Sequence, residues 1–466
     1  MDFSDHAGDK DVTHAERLAA FVVGASFDNL SESARLQLKI RILDSLGCAI
    51  GALQAEPVRL IREQIDDFGG TGHCTLIGGG RTAPDRAALF NGALVRYLDF
   101  NDSYLAKHET CHPSDNLAPV LAAAEYARGK GREFLTALAV AYQVQCRLSD
   151  VAPVRARGFD HTTQGSFAVA AGVSQALGLD QRRTANAIAI SGTAFNALRV
   201  TRTGALSHWK GLAYPNTSCC CTHAAFLAMR GITGPPEVFE GNKGFMQAIA
   251  GEFHIDWSAE NLEHTTQTIV KKYNAEIHSQ SAIEGILELK REYGFHAEDV
   301  RHVDLETFDV AYNIIGGGEE GNRRMVRSKE EADHSLPYIL AVALIDSQVM
   351  PPQYQRERIA RSDVQALLQR ITVRPAEDLS RRFPDEMPCR FTVHLRDGRL
   401  LTKEKRNYEG FHSAPIAWDS IVKKFEQLAE PYTSPQHREE IVGAVWEIEA
   451  IPVTDVLALL AKIHAA

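Results

Sequence analysis

Apolar residues recur at helical spacing through most of the first half of the chain. The segments that follow this pattern are rich in alanine and glycine, and one of them ends in an entirely apolar stretch, which predicts a buried helix end. The predicted helices are residues 32–53, 85–97, 117–127, 133–148, 164–177 and 181–191. Only residues 73–77 indicate a strand, so the pattern predicts a helical first half.

From about residue 266 onward, the spacing of apolar residues changes to a period of two, which is typical of strands with one buried face. The predicted strands are residues 300–308, 371–374, 389–395 and 400–404. Asp397-Gly398 separates the last two strands and predicts a hairpin turn. Two predicted helices, residues 281–293 and 331–349, cover this sheet, and the chain turns helical again after residue 408.

These patterns predict a mainly α protein with a large all-helical domain and an inserted, smaller α+β domain. We expect residues 1–265 to form the first part of the helical domain and residues 266–407 the α+β domain. Residues 408–466 are then helices that return to the helical domain. The length of 466 residues is about three times that of a typical domain, which agrees with such a division.

Composition and charge exclude several classes of protein. The net charge is −10 and no run of lysine and arginine stands out, so we expect no nucleic-acid partner. No apolar run approaches the length that crosses a bilayer, so we expect no membrane partner. Residues 1–6 lack the basic start and apolar core of a signal peptide, and we therefore expect a cytoplasmic protein.

Eight cysteines in a long cytoplasmic chain are expected to be free thiols. Three of them are adjacent, in Cys219-Cys220-Cys221. Iron–sulfur ligation needs wider spacing, because three neighbouring side chains on a helix point in different directions. We expect this triplet to pack at the start of a helix over residues 222–229.

The segment His108-Glu109-Thr110-Cys111-His112 matches the H-E-x-x-H pattern, in which two histidines one helical turn apart bind zinc. That chemistry requires a helix. Pro113 follows directly, and the residue before a proline avoids the α conformation. A zinc hydrolase built on His108 and His112 is therefore the less favoured alternative.

A helix that begins near Pro113, with Ser114 as its cap, explains the same residues better. His112 then lies just ahead of a helix N-terminus. The positive end of the helix dipole favours a neutral imidazole, which can accept a proton. The competing interpretation is a histidine that is only hydrogen-bonded within a loop.

Three later segments place histidines or cations beside predicted helix ends. They are residues 158–166, 199–211 and 271–281. The first contains the start of a predicted helix capped by threonine, the second precedes a predicted break at Pro215-Asn216, and the third leads into the predicted helix at residue 281. Their titratable residues include His161, Arg199, Arg202, Lys210, Lys271, Lys272, Glu276 and His278. Each lysine or arginine alone is more often a solvated surface residue. Together, several helix N-termini with such neighbours predict an anion pocket in an acidic protein.

The motifs in these segments resemble the MmgE/PrpD family of 2-methylcitrate dehydratases and cis-aconitate decarboxylases. The residues that carry the resemblance are 98–102, 112–114, 160–163, 207–211, 275–281, 383–390 and 408–412. The resemblance implies a helical domain with a smaller lid domain, usually in a homodimer. It also implies catalysis without a metal or other cofactor.

The resemblance also implies a site around a polycarboxylate. The expected catalytic residues are Asp99, His112, His161, Lys210 and Tyr312. The expected substrate-binding residues are Ser103, Arg199, Arg202, Lys271, Lys272, Glu276 and His278. We expect Asp99 to orient an imidazole, and Lys210 to stabilise the carbanion-like charge that forms when a proton leaves carbon. His112 or His161 would take that proton, and a histidine or Tyr312 would protonate the leaving hydroxyl.

Decarboxylases of the family tend to have a histidine where Glu276 stands, so the resemblance is to the dehydratase branch. We therefore expect a metal-independent dehydratase that acts on 2-methylcitrate or a closely related tricarboxylate. His208 stands where dehydratases often have an apolar residue, which leaves the choice of substrate open. The alternatives are a decarboxylase or an isomerase (epimerase) of a related polycarboxylate, and a non-catalytic binding protein on the same fold.

Overall fold

A computed structural model describes residues 12–463, and the expectation about a leader at residues 1–6 lies outside this range. The described chain is mainly α, as predicted. The helices before residue 266 are α1 (His14–Gly24), α2 (Glu32–Gly51), α3 (Glu56–Phe68), α4 (Pro84–Tyr97), α5 (Leu117–Ala127), α6 (Gly131–Val151), α7 (Thr162–Ala176), α8 (Gln181–Ala194) and α9 (Trp209–Met229). All six helices predicted in this half are confirmed, with ends within three residues of the prediction.

The helices after residue 266 are shorter on average. They are α10 (Gln280–Tyr293), α11 (Asp309–Ala311), α12 (Lys329–Ala332), α13 (Leu336–Asp346), α14 (Arg356–Ile359), α15 (Ser362–Leu368), α16 (Glu377–Ser380), α17 (Trp418–Ala429), α18 (Pro435–Trp446) and α19 (Val453–Leu460). Among the residues that the structure describes, no helix is both long and apolar enough to cross a membrane.

The strands form two short hairpins and one larger sheet. They are β1 (Cys74–Thr75), β2 (Arg81–Thr82), β3 (Tyr104–Ala106), β4 (Glu109–Cys111), β5 (Val300–Thr307), β6 (Ile371–Pro375), β7 (Cys389–Leu395) and β8 (Leu400–Lys405). The larger sheet has the order β6-β5-β7-β8, in which only the β5–β6 pair is parallel. The predicted strands of this sheet and the hairpin between β7 and β8 are confirmed.

Alternation along β7 shows why this sheet forms. Cys389, Phe391, Val393 and Leu395 are buried, and the residues between them are half-buried. The buried face joins a hydrophobic cluster that also contains residues of α10 and α13. A one-sided apolar strand buries that side against another layer of structure, which here is formed by these helices.

A second, larger hydrophobic cluster joins the first nine helices to α17, α18 and α19. Within it, Phe425 of α17 packs against Gly47 of α2 so closely that a β-carbon at Gly47 would lie 3.2 Å from the Phe425 α-carbon. The last helices therefore pack on the first ones. Residues 266–407 hold most of the other cluster, and the assignment of this segment as a lid domain stays a prediction.

Two predictions in the helical segments are wrong. The predicted helix at residues 331–349 is two helices, because Ser335 caps α13 by accepting a hydrogen bond from the Tyr338 amide, and Pro337 follows in its first turn. The predicted break at Pro215 does not occur, since Pro215 lies inside α9. There it packs on Gly92 of α4, where an added β-carbon would lie 3.5 Å from the Pro215 α-carbon. Tertiary packing thus outweighs the cost of a proline inside a helix.

The return of the C-terminal helices can be tested at Gly131. A β-carbon there would lie 1.5 Å from the Ile448 carbonyl oxygen, which is backbone that cannot move aside cheaply. We expect Gly131→Ala to lower the melting temperature by several degrees, because overpacking costs about 1–3 kcal/mol or more. The control is Gly443→Ala in α18, where the β-carbon meets nothing within 4 Å. A Gly131→Ala protein as stable as the Gly443→Ala protein would contradict this packing.

Candidate active site

A buried, polar cavity of about 50 Å³ lies where the first helices meet the segment that follows residue 266. Its wall contains Arg96, Asp99, Glu109, Thr110, His112, Arg155, His161, Arg199, Arg202, Lys271, Glu276, Ile277, His278, Ile314, Glu320 and His334. Four of these residues are histidines and five carry a fixed positive charge. A larger cleft of about 780 Å³, between α1 and residues 254–262, has none of these four histidines.

His112 lies just ahead of a 3-10 turn, Pro113–Asn116, that leads into α5, as predicted. Its Nδ1 is 2.8 Å from the main-chain oxygen of Asp102 and 3.0 Å from the Ser103 hydroxyl. A carbonyl oxygen only accepts hydrogen bonds, so Nδ1 carries the proton and Nε2 of the neutral ring has a free lone pair. Burial, helped by the charges of Arg96 and Lys271, holds the pKa of His112 well below its usual value.

Ser114 does not cap α5, in contrast to the prediction. Ser114 lies inside the 3-10 turn, and the Asp102 carboxylate accepts a hydrogen bond from the Ser114 amide at 3.0 Å. Asp102 is itself held by the Tyr142 hydroxyl at 2.9 Å. One residue therefore fixes both the helix start, through its side chain, and His112, through its carbonyl.

His161 directly precedes α7, and its ring centroid lies 5.4 Å from that of His112. Its Nδ1 is 3.3 Å from the Asp160 carboxylate, which also accepts a hydrogen bond from the Thr162 amide. No threonine caps α7, because its N-cap residue is His161, which makes no side-chain capping hydrogen bond. His161 Nε2 is buried and has no hydrogen-bond partner among the described residues. Burial lowers the pKa of His161 to about 3, even though Asp160 acts in the opposite direction.

Two further histidines face the same cavity, and each is fixed at Nδ1 by a neighbouring carboxylate. His278 Nδ1 is 2.7 Å from Glu276, and His334 Nδ1 is 2.6 Å from Asp333. His278 Nε2, like that of His161, is buried without a partner in the described part of the chain. Glu276 also accepts the His278 amide at 2.8 Å, so this pair is rigid.

Asp99 is the carboxylate with the most cationic contacts. It accepts hydrogen bonds from Arg96, from Lys271 at 2.8 Å and from Lys210 at 3.1 Å. Burial alone would raise the pKa of Asp99, but these three charges hold the pKa well below its usual range. The prediction that Asp99 orients an imidazole is wrong in this structure, because its partners are cations.

Lys210 lies behind the cavity wall, with a side chain only 4% exposed. Its ammonium is 3.1 Å from each of Asp99, Asp333 and His334. The ligand atoms of those three residues lie within 4.8 Å of one another, as in a metal site. Here the lysine ammonium contacts all three, so the residues form a charge cluster that already contains its cation.

The H-E-x-x-H segment is not helical, as the proline argument predicted. Glu109–Cys111 is strand β4, His108 is exposed and His112 is buried. Glu109 accepts hydrogen bonds from the amides of Val154 and Arg155 at 3.1 and 3.0 Å. The two histidines therefore do not lie one helical turn apart, which is the arrangement that zinc binding by this motif requires.

Arginines form the side of the cavity next to His161. Arg202 donates to Asp160 at 2.7 Å, and Arg199 lies 3.9 Å from the same carboxylate. Arg199 and Arg155 both donate to Glu320, at 2.9 and 3.0 Å. Burial would raise the pKa of Asp160, but Arg202 and the other neighbouring charges lower it.

Eight of the twelve expected site residues line this cavity. They are Asp99, His112, His161, Arg199, Arg202, Lys271, Glu276 and His278. Ser103 and Lys210 contact wall residues from behind. Lys272 pairs instead with Glu284 and Glu409 near another cleft, and Tyr312 is half-buried against the hydrophobic cluster that contains β7, α10 and α13. Neither of these last two is part of the wall.

Four charged or titratable wall residues were not predicted from the sequence, and Glu109 was named only as part of the H-E-x-x-H pattern. The four are Arg96, Arg155, Glu320 and His334. A signal existed for His334, because Ser335-Leu336-Pro337 has the pattern of a helix cap followed by a first-turn proline. Nothing local distinguishes Arg96, Arg155 and Glu320 from ordinary helix or loop residues. Only the fold brings them to the cavity.

The low pKa of His161 has a consequence for stability. The unfolded chain binds a proton at this residue near pH 6.5, and the folded chain does so only near pH 3. Stability is therefore full above pH 6.5 and falls by about 1.4 kcal/mol per pH unit below it. We expect His161→Gln to reduce the loss of unfolding free energy between pH 7 and pH 5 by about 2 kcal/mol.

Urea unfolding of the wild type and the variant at both pH values measures this difference. The control is His108→Gln, which changes an exposed histidine. Equal losses in the wild type and in His161→Gln would show that His161 is not held neutral by the fold.

Comparison with known proteins agrees with this architecture. Family models of the MmgE/PrpD N-terminal domain and the MmgE/PrpD C-terminal domain match residues 16–258 and 273–448. A cis-aconitate decarboxylase of Mus musculus is 25% identical, covering 96% of this chain and 93% of its own. A 2-methylcitrate dehydratase of Cupriavidus necator is 26% identical, and the match covers 90% of this chain and 91% of the relative. An alkylcitrate dehydratase of a fungal species is 27% identical, and the match covers 84% of this chain and 82% of the relative. The chain therefore belongs to the MmgE/PrpD family.

Proposed function

We propose that this protein is a hydro-lyase that removes water from 2-methylcitrate or a closely related tricarboxylate without a metal. The observation that supports this best is the pair of neutral histidines, His112 and His161, in the wall of a cavity rich in cations. Dehydration of a β-hydroxy acid needs a base for the C–H proton, an acid for the leaving hydroxyl, and fixed positive charge near the carbanion-like centre. The cavity contains groups of all three kinds.

His112 is the proposed base. Its Nδ1 proton is committed to the Asp102 carbonyl, so the lone pair on Nε2 is available to take the proton from the carbon next to a carboxylate. Burial and the neighbouring charges of Arg96 and Lys271 lower the pKa of His112 and keep the ring neutral before the reaction. The electron pair of the broken C–H bond then forms the double bond.

His161 is the proposed acid. It is neutral in the free protein, but the negative charge of a bound tricarboxylate raises its pKa, and Asp160 stabilises the imidazolium through Nδ1. Its Nε2 proton goes to the hydroxyl as the C–O bond breaks, and water leaves. The proton held by His112 then restores His161, directly or through a water molecule, because the two rings are neighbours.

Fixed cations supply the remaining stabilisation. Lys271 and Arg202 line the cavity and are the proposed partners of the carboxylate that takes up negative charge. Lys210 acts as a positioning residue, because its ammonium contacts Asp99 and His334 and not the cavity. A glutamate at position 276 favours the dehydratase over the decarboxylase, since family decarboxylases tend to have a histidine at this position.

Product analysis distinguishes dehydration from decarboxylation and from epimerisation. We expect NMR of the wild-type protein with 2-methylcitrate to show the aconitate-type alkene without release of carbon dioxide. Citrate and cis-aconitate serve as parallel substrates. Carbon dioxide and a dicarboxylate formed from cis-aconitate would establish the decarboxylase instead, and an epimerised acid would establish an isomerase. No change in any of the three acids would contradict the proposal.

Substitution tests the two histidines. We expect His112→Gln and His161→Gln each to reduce turnover at least 100-fold, since a positioned acid or base contributes about 100- to 10,000-fold in rate. His108→Gln should retain wild-type turnover, because His108 is exposed and outside the wall. Full activity of either wall variant would remove that histidine from the mechanism.

An analogue in which fluorine replaces the leaving hydroxyl assigns the roles. Fluoride leaves without needing a full proton transfer, so the analogue should restore activity to His161→Gln, which lacks the acid. It should not restore activity to His112→Gln, which lacks the base. The reverse pattern would exchange the two assignments.

A further inference from the structure

One carboxylate in the cavity wall differs from the others in how it is held. Glu320 is the acceptor for both Arg155 and Arg199, at 3.0 and 2.9 Å through the same oxygen, and its side chain is 8% exposed. Arg323 adds a weaker contact at 3.7 Å to the other oxygen. The arrangement of two guanidinium groups on one carboxylate is how proteins commonly bind a carboxylate ligand.

The other acidic wall residues have partners other than a pair of arginines. Asp99 is held by three cations, Glu109 by two main-chain amides and Glu276 by the amide and ring of His278. Glu320 instead belongs to a glycine-rich loop, residues 316–321. Two glycines in it, Gly317 and Gly321, have φ angles of 104°, where other residues are strained. The Glu320 amide donates to the Asn313 carbonyl oxygen at 2.9 Å, whereas its carboxylate is held, among the described residues, by arginine side chains.

The size of the cavity requires a group to move. Its volume is about 50 Å³. A tricarboxylate is several times larger, and sites for such ligands usually measure about 300–1,000 Å³. The Glu320 side chain fills the side of the cavity next to the arginines, so its departure both enlarges the space and exposes two cations.

We propose that Arg155 and Arg199 form a subsite for one carboxylate of the substrate, and that Glu320 occupies this subsite when no substrate is bound. The inference rests on the proposed function, because the ligand is a polycarboxylate. Binding then exchanges an internal carboxylate for one of the ligand. A ligand without a carboxylate at this position cannot make that exchange, so Glu320 selects for tricarboxylates over dicarboxylates.

The expected size of the effect follows from occupancy. If Glu320 fills the subsite nine-tenths of the time, the apparent affinity for a competing carboxylate is about tenfold weaker than the intrinsic affinity. Glu320→Gln keeps the shape of the side chain and removes its charge. We therefore expect this variant to bind a tricarboxylate at least about tenfold more tightly than the wild type.

Calorimetric titration with tricarballylate tests the proposal independently of catalysis, because this tricarboxylate has no hydroxyl group to lose. The control is Glu319→Gln, which removes the same charge from the neighbouring, exposed position of the same loop. Its affinity should equal that of the wild type. Glutarate, which lacks the central carboxylate, should gain much less than tricarballylate from Glu320→Gln.

The arginines are tested in the same background. Adding Arg155→Met to Glu320→Gln should abolish most of the gained affinity for tricarballylate and leave glutarate binding nearly unchanged. The proposal is overturned if Glu320→Gln binds tricarballylate no more tightly than the wild type, or if Glu319→Gln gains as much affinity. In either case, binding of tricarballylate by the wild type still supports the proposed function. Failure of every variant and of the wild type to bind tricarballylate would overturn both.

Discussion

The arrangement of the cavity depends on one buried charge, the carboxylate of Asp99. A charge so far from water is tolerated only when it is fully paired, and three cations from three parts of the chain supply the pairing. Arg96 comes from α4, Lys210 from α9 and Lys271 from the segment before α10. Lys210 extends the cluster to Asp333, which precedes α13. Because the ion pairs cross between the two hydrophobic clusters, they also fix how those clusters face each other.

The backbone conformation of Asp99 also depends on these ion pairs. Its φ angle of 54° lies in the left-handed region. Every residue except glycine loses energy in this conformation, and asparagine and aspartate lose the least. Strain of this kind persists only where the surroundings over-determine the conformation. Here the Lys271 ammonium bonds the Asp99 main-chain oxygen at 2.7 Å as well as its side chain. The ion pairs that neutralise the charge therefore also hold the turn.

Much of the fold could be predicted from the sequence, because hydrophobic periodicity is a local property. The period of 3.6 located the helices of the first half, and the period of two located β5, β6, β7 and β8 within a residue or two. The errors came where something other than apolar periodicity decides the outcome. Pro215 continues α9 where that helix packs on α4 at Gly92, and the break before α13 depends on a cap at Ser335 that the apolar pattern obscured.

The site was predictable to the extent that its residues belong to motifs. His112 and His161 could be expected to precede helix starts, and the structure brings their rings together. Their partners could not be derived, since Asp160 and the Asp102 carbonyl are recognisable as anchors only once the rings are placed. Lys272 illustrates the same limit: it follows Lys271 in sequence, yet it points to Glu284 and Glu409 near a different cleft. Neighbours in sequence share a motif without sharing a site.

The four wall histidines differ in what evolution can change about them. Three rings are fixed by side chains, those of Asp160, Glu276 and Asp333, so a single codon change can weaken, remove or replace the anchor. The ring of His112 is fixed mainly by a main-chain carbonyl, which persists whatever residue follows Asn101. A lineage that explores new substrates or reactions on this scaffold can therefore retune three of its imidazoles one at a time. The fourth keeps its tautomer throughout, as a constant around which the chemistry diversifies.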